Sequence, residues 1–277
     1  MSRFSLLFSI LLAGLACNGS DPANGNHEPD PEAPSLPPGE VPTWSYRIIN
    51  VFPHDTDAYT QGLVYVDGRF LEGTGGGTQL ESRDAISSLR RVAIETGRVL
   101  QQVALAERYF GEGITLLDSR IYQLTWRSRV GFIYTANDFD SLGTFSYTSE
   151  GWGLTHDGEH LIMSDGSATL TFRDPETFAE TGRVEVRHKG QAIRNLNELE
   201  WVEGEVWANI YQTDIIARID PTDGQVVGWI DLRGLLTSGE RQLTDVLNGI
   251  AYDPATERIF VTGKLWPWVF QIELMGH

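Results

Sequence analysis

Short apolar runs alternate with turn residues along most of this chain, and one phrase recurs at the start of five such runs. Each copy continues into a turn and a second apolar run, as in GLVYVDGRFLEG, which is the pattern of a β-hairpin with one buried face. Spacings of roughly forty to fifty residues between copies are typical of propeller blades. The copies begin at Gly62-Leu63-Val64, Gly113-Ile114-Thr115, Gly153-Leu154-Thr155, Glu198-Leu199-Glu200 and Gly249-Ile250-Ala251.

The repeat predicts an all-β fold, a five-bladed β-propeller over residues 44–277. Apolar hairpins such as RVAIETGRVLQQVAL and ARIDPTDGQVVGWIDL lie between the copies and provide outer strands, with Gly in their tight turns. The last copy is followed only by LWPWVFQIEL, which is too short to complete a four-stranded blade, while the strand Ser45–Val51 is left over at the other end. We therefore expect the first strand to complete the last blade and close the ring, which protects the edge strands.

A propeller gathers the starts of its innermost strands around one axis, so the residues at these starts form one candidate site. The group combines a carboxylate, Glu112, with amides and aromatic rings, which suits a small polar substrate. Partial burial raises the pKa of such a carboxyl group toward neutrality, where it can move protons. The candidates are Tyr59, Gln61, Phe110, Glu112, Trp152, Asn197 and Asn248, together with Trp126, Asn209, Tyr211, Lys264 and Trp266 at the ends of following strands.

Each candidate also has a purely structural interpretation, which the residue pattern leaves open. The segment Gly111-Glu112-Gly113 can form a surface turn with a solvated carboxylate. Trp126 and Trp152 can pack between blades, and the asparagines can bond backbone groups at strand ends, as Asn commonly does. Lys264 can be a surface charge.

The first residues of the chain read as an export signal. Met1-Ser2-Arg3 is a short basic start, Phe4 to Ala13 is apolar but short for a bilayer span, and Leu15-Ala16-Cys17 follows. The segment resembles a bacterial lipoprotein signal, so residues 1–17 are predicted to be a signal peptide with Cys17 as the lipidation site. We expect an exported protein, periplasmic or anchored in the outer membrane, with a plain secreted or periplasmic chain as the alternative.

Residues 18–43 have a different composition from the rest of the chain. They are rich in Pro, Asn, Asp and Glu and nearly empty of large apolar residues. Such a segment cannot bury a core, and it is predicted to be a disordered tether that packs on nothing.

The formal net charge of the 277 residues is −17 at pH 7, which argues against binding nucleic acid or an anionic membrane surface. The charge serves solubility, or it attracts cationic substrates such as peptides with a free amino terminus. We expect a monomer that contacts a membrane only through its lipid anchor.

Several other chemistries lack their motifs. The histidines show no metal-ligand spacing, and there is no G-x-S-x-G, no phosphate loop and no cysteine beyond Cys17. Glu198 and Glu200 make one face of their strand acidic, which suits a structural role or cation binding as well as catalysis.

The strings FPHDTDAYTQGL, YFGEGIT, EGWGLT, NLNELEW, VWANIYQTDIIARID, VLNGIAYD and TGKLWP occur in this order between Ile49 and Leu274. This series resembles the plant-type glutaminyl-peptide cyclotransferases, a family also found in bacteria. The resemblance implies a five-bladed propeller that converts the amino-terminal glutamine of peptides or proteins to pyroglutamate and releases ammonia. It implies no catalytic cofactor and no zinc, and it allows a structural calcium in the central channel, for which the residues show no ligand pattern.

By the same resemblance, Glu112 in FGEG is the catalytic acid–base residue. The implied substrate contacts are Gln61, Asn197 and Lys264 as polar groups and Tyr59, Phe110, Trp126, Trp152 and Tyr211 as aromatic walls. Tyr211 departs from the family, which often has Trp there, so affinity or side-chain preference is expected to differ.

Two other functions fit the residue pattern. One is a non-enzymatic propeller that binds peptides or sugars with the same aromatic mouth, and the other is a calcium-dependent hydrolase of the lactonase-like propeller class. The hydrolase would need an axial cluster of Asn, Asp and Glu around a catalytic metal.

Overall fold

Strands make up nearly all of the regular structure in the computed structural model, which describes residues 41–76 and 86–276. In these two ranges the only helix is α1 (Ser238–Arg241), and no helix is long and apolar enough to cross a bilayer. The predicted signal peptide with Cys17, and the tether up to residue 40, lie outside the described residues.

The first half of the described chain forms three antiparallel sheets of four strands each, after a long first strand, β1 (Thr43–Pro53). The first sheet contains β2 (Tyr59–Val66), β3 (Arg69–Gly75), β4 (Ser88–Ala93) and β5 (Val99–Ala104). The second contains β6 (Gly111–Leu117), β7 (Arg120–Thr125), β8 (Val130–Thr135) and β9 (Ser141–Ser146). The third contains β10 (Leu154–His156), β11 (Leu161–Met163), β12 (Thr169–Arg173) and β13 (Glu180–Glu185).

The second half forms a larger sheet of eight strands, after a small hairpin of β14 (Arg187–His188) and β15 (Gln191–Ala192). Its strands are β16 (Leu196–Val202), β17 (Glu205–Ile210), β18 (Ile215–Ile219), β19 (Val226–Asp231), β20 (Leu247–Asp253), β21 (Arg258–Gly263) and β22 (Trp268–Met275), with β1 between β19 and β22. The fold is therefore all-β and propeller-like, as the repeat predicts.

The predicted pairing of the first strand with the last is confirmed. β1 runs antiparallel to β22, from the Ser45–Met275 pair to the Pro53–Trp268 pair. The predicted hairpins between the phrase copies are present as β4–β5, β12–β13 and β18–β19.

The first strand begins at Thr43, which is the last residue of the predicted tether. Thr43 and Trp44 already pair in parallel with Trp229 and Ile230 of β19, and Pro42 accepts a hydrogen bond from the Trp229 N–H at 3.0 Å. The reason is the Trp44 ring, which lies over the backbone of β19 and has the Arg218 guanidinium 4.1 Å from its centroid. This contact orders the chain before the first sequence-predicted strand residue.

Five strands surround an axis. They are the first strands of the three four-stranded sheets, β2, β6 and β10, and the strands β16 and β20 of the eight-stranded sheet. β2 contacts β6 and β20, β10 contacts β6 and β16, and β16 contacts β20. The recurring Gly allows this close approach: a Cβ at Gly113 would lie 2.6 Å from the Trp152 carbonyl oxygen, and a Cβ at Gly153 would lie 2.0 Å from that of Asn197. The glycine in the phrase is therefore a packing requirement at the centre of the molecule.

Glu198 stands where the other copies have Gly, and its carboxylate joins three strands of the ring. One oxygen accepts a hydrogen bond from the Leu63 N–H of β2 at 3.2 Å, and the other accepts one from the Ile250 N–H of β20 at 2.9 Å. Glu200 accepts a bond from the Tyr252 N–H at 2.8 Å. This bonding supports the structural interpretation of both residues.

The two carboxyl groups are buried, and burial raises the pKa of each. For Glu200 the pKa rises to about 8 despite the hydrogen bond from Tyr252. For Glu198 the nearby charge of Glu200 adds to the effect of burial. Both side chains hold protons more readily than exposed glutamates do, which fits their place at a water-poor axis.

We expect Glu198→Ala to destabilise the fold by about 2–4 kcal/mol, because it leaves the N–H groups of Leu63 and Ile250 without their acceptor in the interior. Denaturant unfolding measures the loss. The matched control is Glu176→Ala, which removes an exposed carboxylate paired with Arg120 and should cost less than about 1 kcal/mol. Equal stability of the two variants would contradict the role given to Glu198.

Candidate active site

A cavity of about 220 Å³ opens at the end of the axis where the first strands begin, and nine predicted residues line it. It thus brings together every residue that the family resemblance implies for the site, from β2, β6 and β16 and from the segments next to β6, β7, β10, β17 and β21. The lining residues are Tyr59, Gln61, Phe110, Glu112, Trp126, Trp152, Asn197, Tyr211 and Lys264.

Irregularities in the first strands aim three of these side chains at the cavity. The pairing of β2 with β3 shifts register at Gln61, that of β6 with β7 shifts at Glu112, and that of β16 with β17 shifts at Asn197. A β-bulge turns a side chain out of the regular alternation of a strand, and bulges are frequent beside functional sites. The polar groups therefore leave the sheets at equivalent points of the repeat.

A second set of lining residues directly follows the second strand of its hairpin. The N–H groups of Trp126, Tyr211 and Lys264 donate to the carbonyl oxygens of Phe110, Asn195 and Val246, at 3.0, 2.9 and 2.9 Å. These bonds extend each hairpin by one pair beyond the regular strands. They fix the three side chains at the same end of the axis as the bulges.

The aromatic walls are ordered by edge-to-face contacts. The Phe110 ring lies 6.1 Å from Tyr59 and 5.8 Å from Trp126, and Trp152 lies 5.5 Å from Tyr211, measured between ring centroids. Such contacts stabilise aromatic pairs beyond simple burial. Tyr211 thus keeps the wall on the side where the family often carries Trp.

Glu112 is the buried acid of the cavity. It is 5% exposed, and no hydrogen bond joins its carboxyl group to any residue in the described ranges. Burial raises the pKa of Glu112 well above its ordinary value, Lys264 opposes this shift, and the charge of Glu150 adds to it. The surface-turn interpretation of Gly111-Glu112-Gly113 is wrong.

Lys264 faces the same cavity and is 4% exposed. Its Nζ lies 4.8 Å from the ring centroid of Tyr59 and 5.2 Å from that of Tyr211, in cation–π contact. Burial lowers the pKa of Lys264, while the charges of Glu112 and Asp245 oppose that shift. The pKa values of the acid and the amine therefore move toward each other, which suits proton transfer near neutral pH.

Asn248 positions the side chain of Gln61 through a hydrogen bond. Its Nδ2 donates to the Gln61 Oε1 at 3.3 Å and to the Thr60 carbonyl oxygen at 3.0 Å. With the carbonyl end of the Gln61 side chain engaged in this way, its NH₂ end is free to donate into the cavity. The expectation that Asn248 itself faces the site is wrong, because its amide NH₂ donates to Thr60 and Gln61 of the neighbouring strand β2 and the residue does not line the cavity.

Asn209 and Trp266 also lie outside the cavity lining. The Asn209 Oδ1 accepts a hydrogen bond from the Gly249 N–H at 3.0 Å, which is the strand-end role that Asn commonly has. Trp266 is buried in the hydrophobic core beside Phe270, and its Nε1 donates to the Asp245 carbonyl oxygen at 2.9 Å.

The sequence model of the glutamine cyclotransferase family matches residues 23–274, which is most of the chain. The chain belongs to this family. Glutaminyl-peptide cyclotransferase from Arabidopsis thaliana is 46% identical over 235 residues, covering 82% of this chain and 71% of the plant protein. The crystal structure of glutaminyl cyclase from Myxococcus xanthus superposes with a TM-score of 0.76 at 37% identity, covering 86% of this chain and 100% of the other.

Two carboxylates that are not among the predicted site residues, Glu150 and Asp245, hydrogen-bond the walls of the cavity in this member of the cyclotransferase family. Glu150 accepts hydrogen bonds from the indole N–H groups of Trp126 and Trp152. Asp245 accepts one from the Tyr59 hydroxyl at 2.9 Å, and its own N–H donates to the Lys264 carbonyl oxygen at 2.9 Å. Their position just before a phrase copy is the only signal in the sequence that marks them.

The central channel of this cyclotransferase offers few ligands for the calcium that the family resemblance allows. Both oxygens of Glu198 accept backbone N–H groups, and the buried Asn248 Oδ1 has no partner. Within residues 41–76 and 86–276 no cluster of three His, Cys, Asp or Glu side chains could hold a metal ion. Calcium takes six to eight oxygen ligands, so these side chains do not by themselves fit it.

Proposed function

We propose that this chain is a glutaminyl-peptide cyclotransferase, which converts the amino-terminal glutamine of peptides or proteins to pyroglutamate and releases ammonia. The observation that carries the proposal is the pairing of buried Glu112 with buried Lys264 in one aromatic cavity. A volume of about 220 Å³ is below the roughly 300–1,000 Å³ of drug-sized pockets, so it suits one terminal residue with the peptide leaving through the mouth. Membership of an enzyme family supports the same conclusion.

The main barrier to this reaction is conformational, and the walls of the cavity can lower it. The α-amine of the substrate is the nucleophile and the γ-carboxamide carbon of the same residue is the electrophile, so both are already tethered. The aromatic walls need only fold the side chain back on the amine. Enforced orientation of this kind removes several kcal/mol of the barrier.

The proton transfers fall to Glu112. Its carboxylate accepts a proton from the attacking α-amine as the new C–N bond forms, which gives a tetrahedral intermediate with a negative oxygen. The protonated carboxyl group then donates to the γ-nitrogen, the old C–N bond breaks, and ammonia leaves. Burial supports both roles, because a raised pKa makes the carboxylate a better base at neutral pH.

The intermediate's oxygen needs donors, and three lining groups supply them: the Lys264 ammonium and the amides of Gln61 and Asn197. Donors placed before the reaction in a water-poor cavity stabilise developing charge more than water does. In this scheme Glu112 makes both proton transfers and the amine and the two amides stabilise the negative oxygen, and no metal ion has a step.

We also propose the finer architecture, a five-bladed propeller closed by β1. The contacts of β2, β6, β10, β16 and β20 around the axis support it, with β1 as the fourth strand of the last group. Four of the blades then bring their strand starts to the cavity, and the fifth brings Lys264 directly after β21.

The direct test is ammonia release from a Gln-initiated dipeptide, with and without prior EDTA treatment. We expect stoichiometric ammonia and pyroglutamyl peptide in both cases. A binding propeller would retain the peptide unchanged, and a calcium-dependent hydrolase would lose its activity in EDTA. The matching peptide that begins with acetylated glutamine is the control, because its α-amine cannot attack.

Glu112→Gln should nearly keep substrate binding, because the amide is almost isosteric with the acid, while kcat falls at least about a hundredfold, the usual scale for losing a positioned acid–base group. Steady-state cyclisation of a Gln-initiated peptide measures both parameters, with folding checked by circular dichroism. A folded variant that turned over like wild type would make the carboxylate structural and defeat the mechanism.

Lys264→Ala should weaken both substrate binding and turnover, since it removes the side-chain stem and a charged donor whose Nζ lies against the rings of Tyr59 and Tyr211. The same assay gives KM and kcat. A variant that changed KM alone would show that Lys264 binds the substrate without stabilising the transition state.

We propose that the protein is exported, most simply as a monomeric lipoprotein held through Cys17. The short apolar segment ending in Leu15-Ala16-Cys17 supports this, although it lies outside the described residues. Cys17→Ser should move the protein from the membrane fraction to the soluble fraction with its cyclase activity unchanged. Wild-type protein found wholly in the soluble fraction would leave a plain secreted or periplasmic chain.

A further inference from the structure

Glu150 lies beside the cavity and holds two of its walls with one atom. Its Oε2 accepts the indole N–H of Trp126 at 2.6 Å and that of Trp152 at 3.0 Å. Glu150 is not among the residues that line the cavity. It therefore touches the walls and not the bound substrate.

The two tryptophans come from different sheets, which makes this shared acceptor important. Trp126 follows β7 of the second sheet, and Trp152 precedes β10 of the third. A backbone hydrogen bond of 3.1 Å from the Gly151 N–H to the Trp126 carbonyl oxygen joins the same two segments. The backbone bond joins the two chain segments, and the carboxylate joins the two indole rings.

The other oxygen of Glu150 faces Arg127. The Arg127 Nε lies 3.3 Å from Oε1, and its guanidinium carbon lies 3.8 Å from the centroid of the Trp126 ring. Burial opposes ionisation of Glu150, but the bonds from Trp152, Trp126 and Arg127 outweigh it and hold its pKa below the ordinary value. The residue is thus a carboxylate at neutral pH.

We infer that Glu150 is a positioning residue of the cyclisation, which sets the spacing of Trp126 and Trp152 around the glutamine side chain through its shared Oε2. The inference rests on the proposed function. The hydrogen bonds carry this role, and the charge of Glu150 adds a separate effect through space.

The second effect concerns the ionisation of Glu112. The charge of Glu150 makes it harder for Glu112 to lose its proton, after the larger effect of burial and against the attraction of Lys264. Removing that charge lets Glu112 become a carboxylate at lower pH, so the acid limb of the activity profile should move down. Among the described residues, the phenol groups of Tyr59, Tyr147 and Tyr211 also interact electrostatically with Glu112.

Two substitutions separate the effects. Glu150→Gln keeps an oxygen acceptor for both indoles and removes the charge, so KM should stay within about twofold while the acid limb of kcat/KM moves to lower pH. Glu150→Ala removes the acceptor as well, so KM should rise at least about tenfold, the scale expected when a bound group is misplaced. Tryptophan fluorescence should change in the alanine variant more than in the glutamine variant.

A second indole–carboxylate pair provides the matched control. The Trp207 Nε1 donates to the Glu205 Oε2 at 3.0 Å, away from the cavity lining. Glu205→Ala should alter the fluorescence and leave KM and the pH profile as in wild type.

The outcomes separate this inference from the proposed function. Wild-type protein that releases no ammonia from Gln-initiated peptides overturns the proposed function and the role of Glu150 with it. An active wild type whose KM is unchanged in folded Glu150→Ala overturns the role of Glu150 alone. A KM that rises equally in the alanine and glutamine variants overturns the shared-acceptor account.

Discussion

The close approach of five strands to one axis is the constraint on which the rest of this molecule depends. The approach is possible because Gly62, Gly113 and Gly153 carry no side chain. A Cβ added at any of them would lie 2.6 Å or less from a backbone atom of a neighbouring segment, which is closer than van der Waals contact. The fourth strand instead carries Glu198, whose carboxylate accepts N–H groups from two other strands of the ring. Bare backbone at three of the strands and a bridging carboxylate at a fourth thus let the strands meet at the centre.

The same crowding explains where the chemistry lies. A strand that bulges as it reaches the axis frees one side chain from the pleat, and the bulges at Gln61, Glu112 and Asn197 all point to one end. Because the backbone around each bulge is held by sheet pairing, the residue type at that position can differ from one inner strand to the next. The repeat can therefore place an acid, two amides and an indole around one cavity without changing its architecture.

The acid and the amine of the site, Glu112 and Lys264, are buried, and burial disfavours the charged form of each. Glu112 and Lys264 are both nearly inaccessible to water, and burial shifts their pKa values in opposite directions, toward each other. Carboxylates behind the walls complete the arrangement: Asp245 bonds Tyr59 and favours the charged form of Lys264, and Glu150 bonds two tryptophans and disfavours the charged form of Glu112. Wall order and proton affinity are therefore set by the same residues.

The sequence by itself determined the all-β class and the pairing of the first strand with the last, because a repeat carries its period, its turns and its strand starts in local order. The repeat gave twelve candidate site residues, and the resemblance to the family selected the nine that line the cavity. It did not determine which equivalent positions turn inward: Asn248 occupies the same point of the phrase as Asn197, yet it bonds Gln61 from behind. The parallel contact of Thr43 and Trp44 with β19, and the shared acceptor Glu150, were likewise decided only by the tertiary structure. Each depends on a partner from another sheet, and a contact between distant segments leaves no periodic trace in either of them.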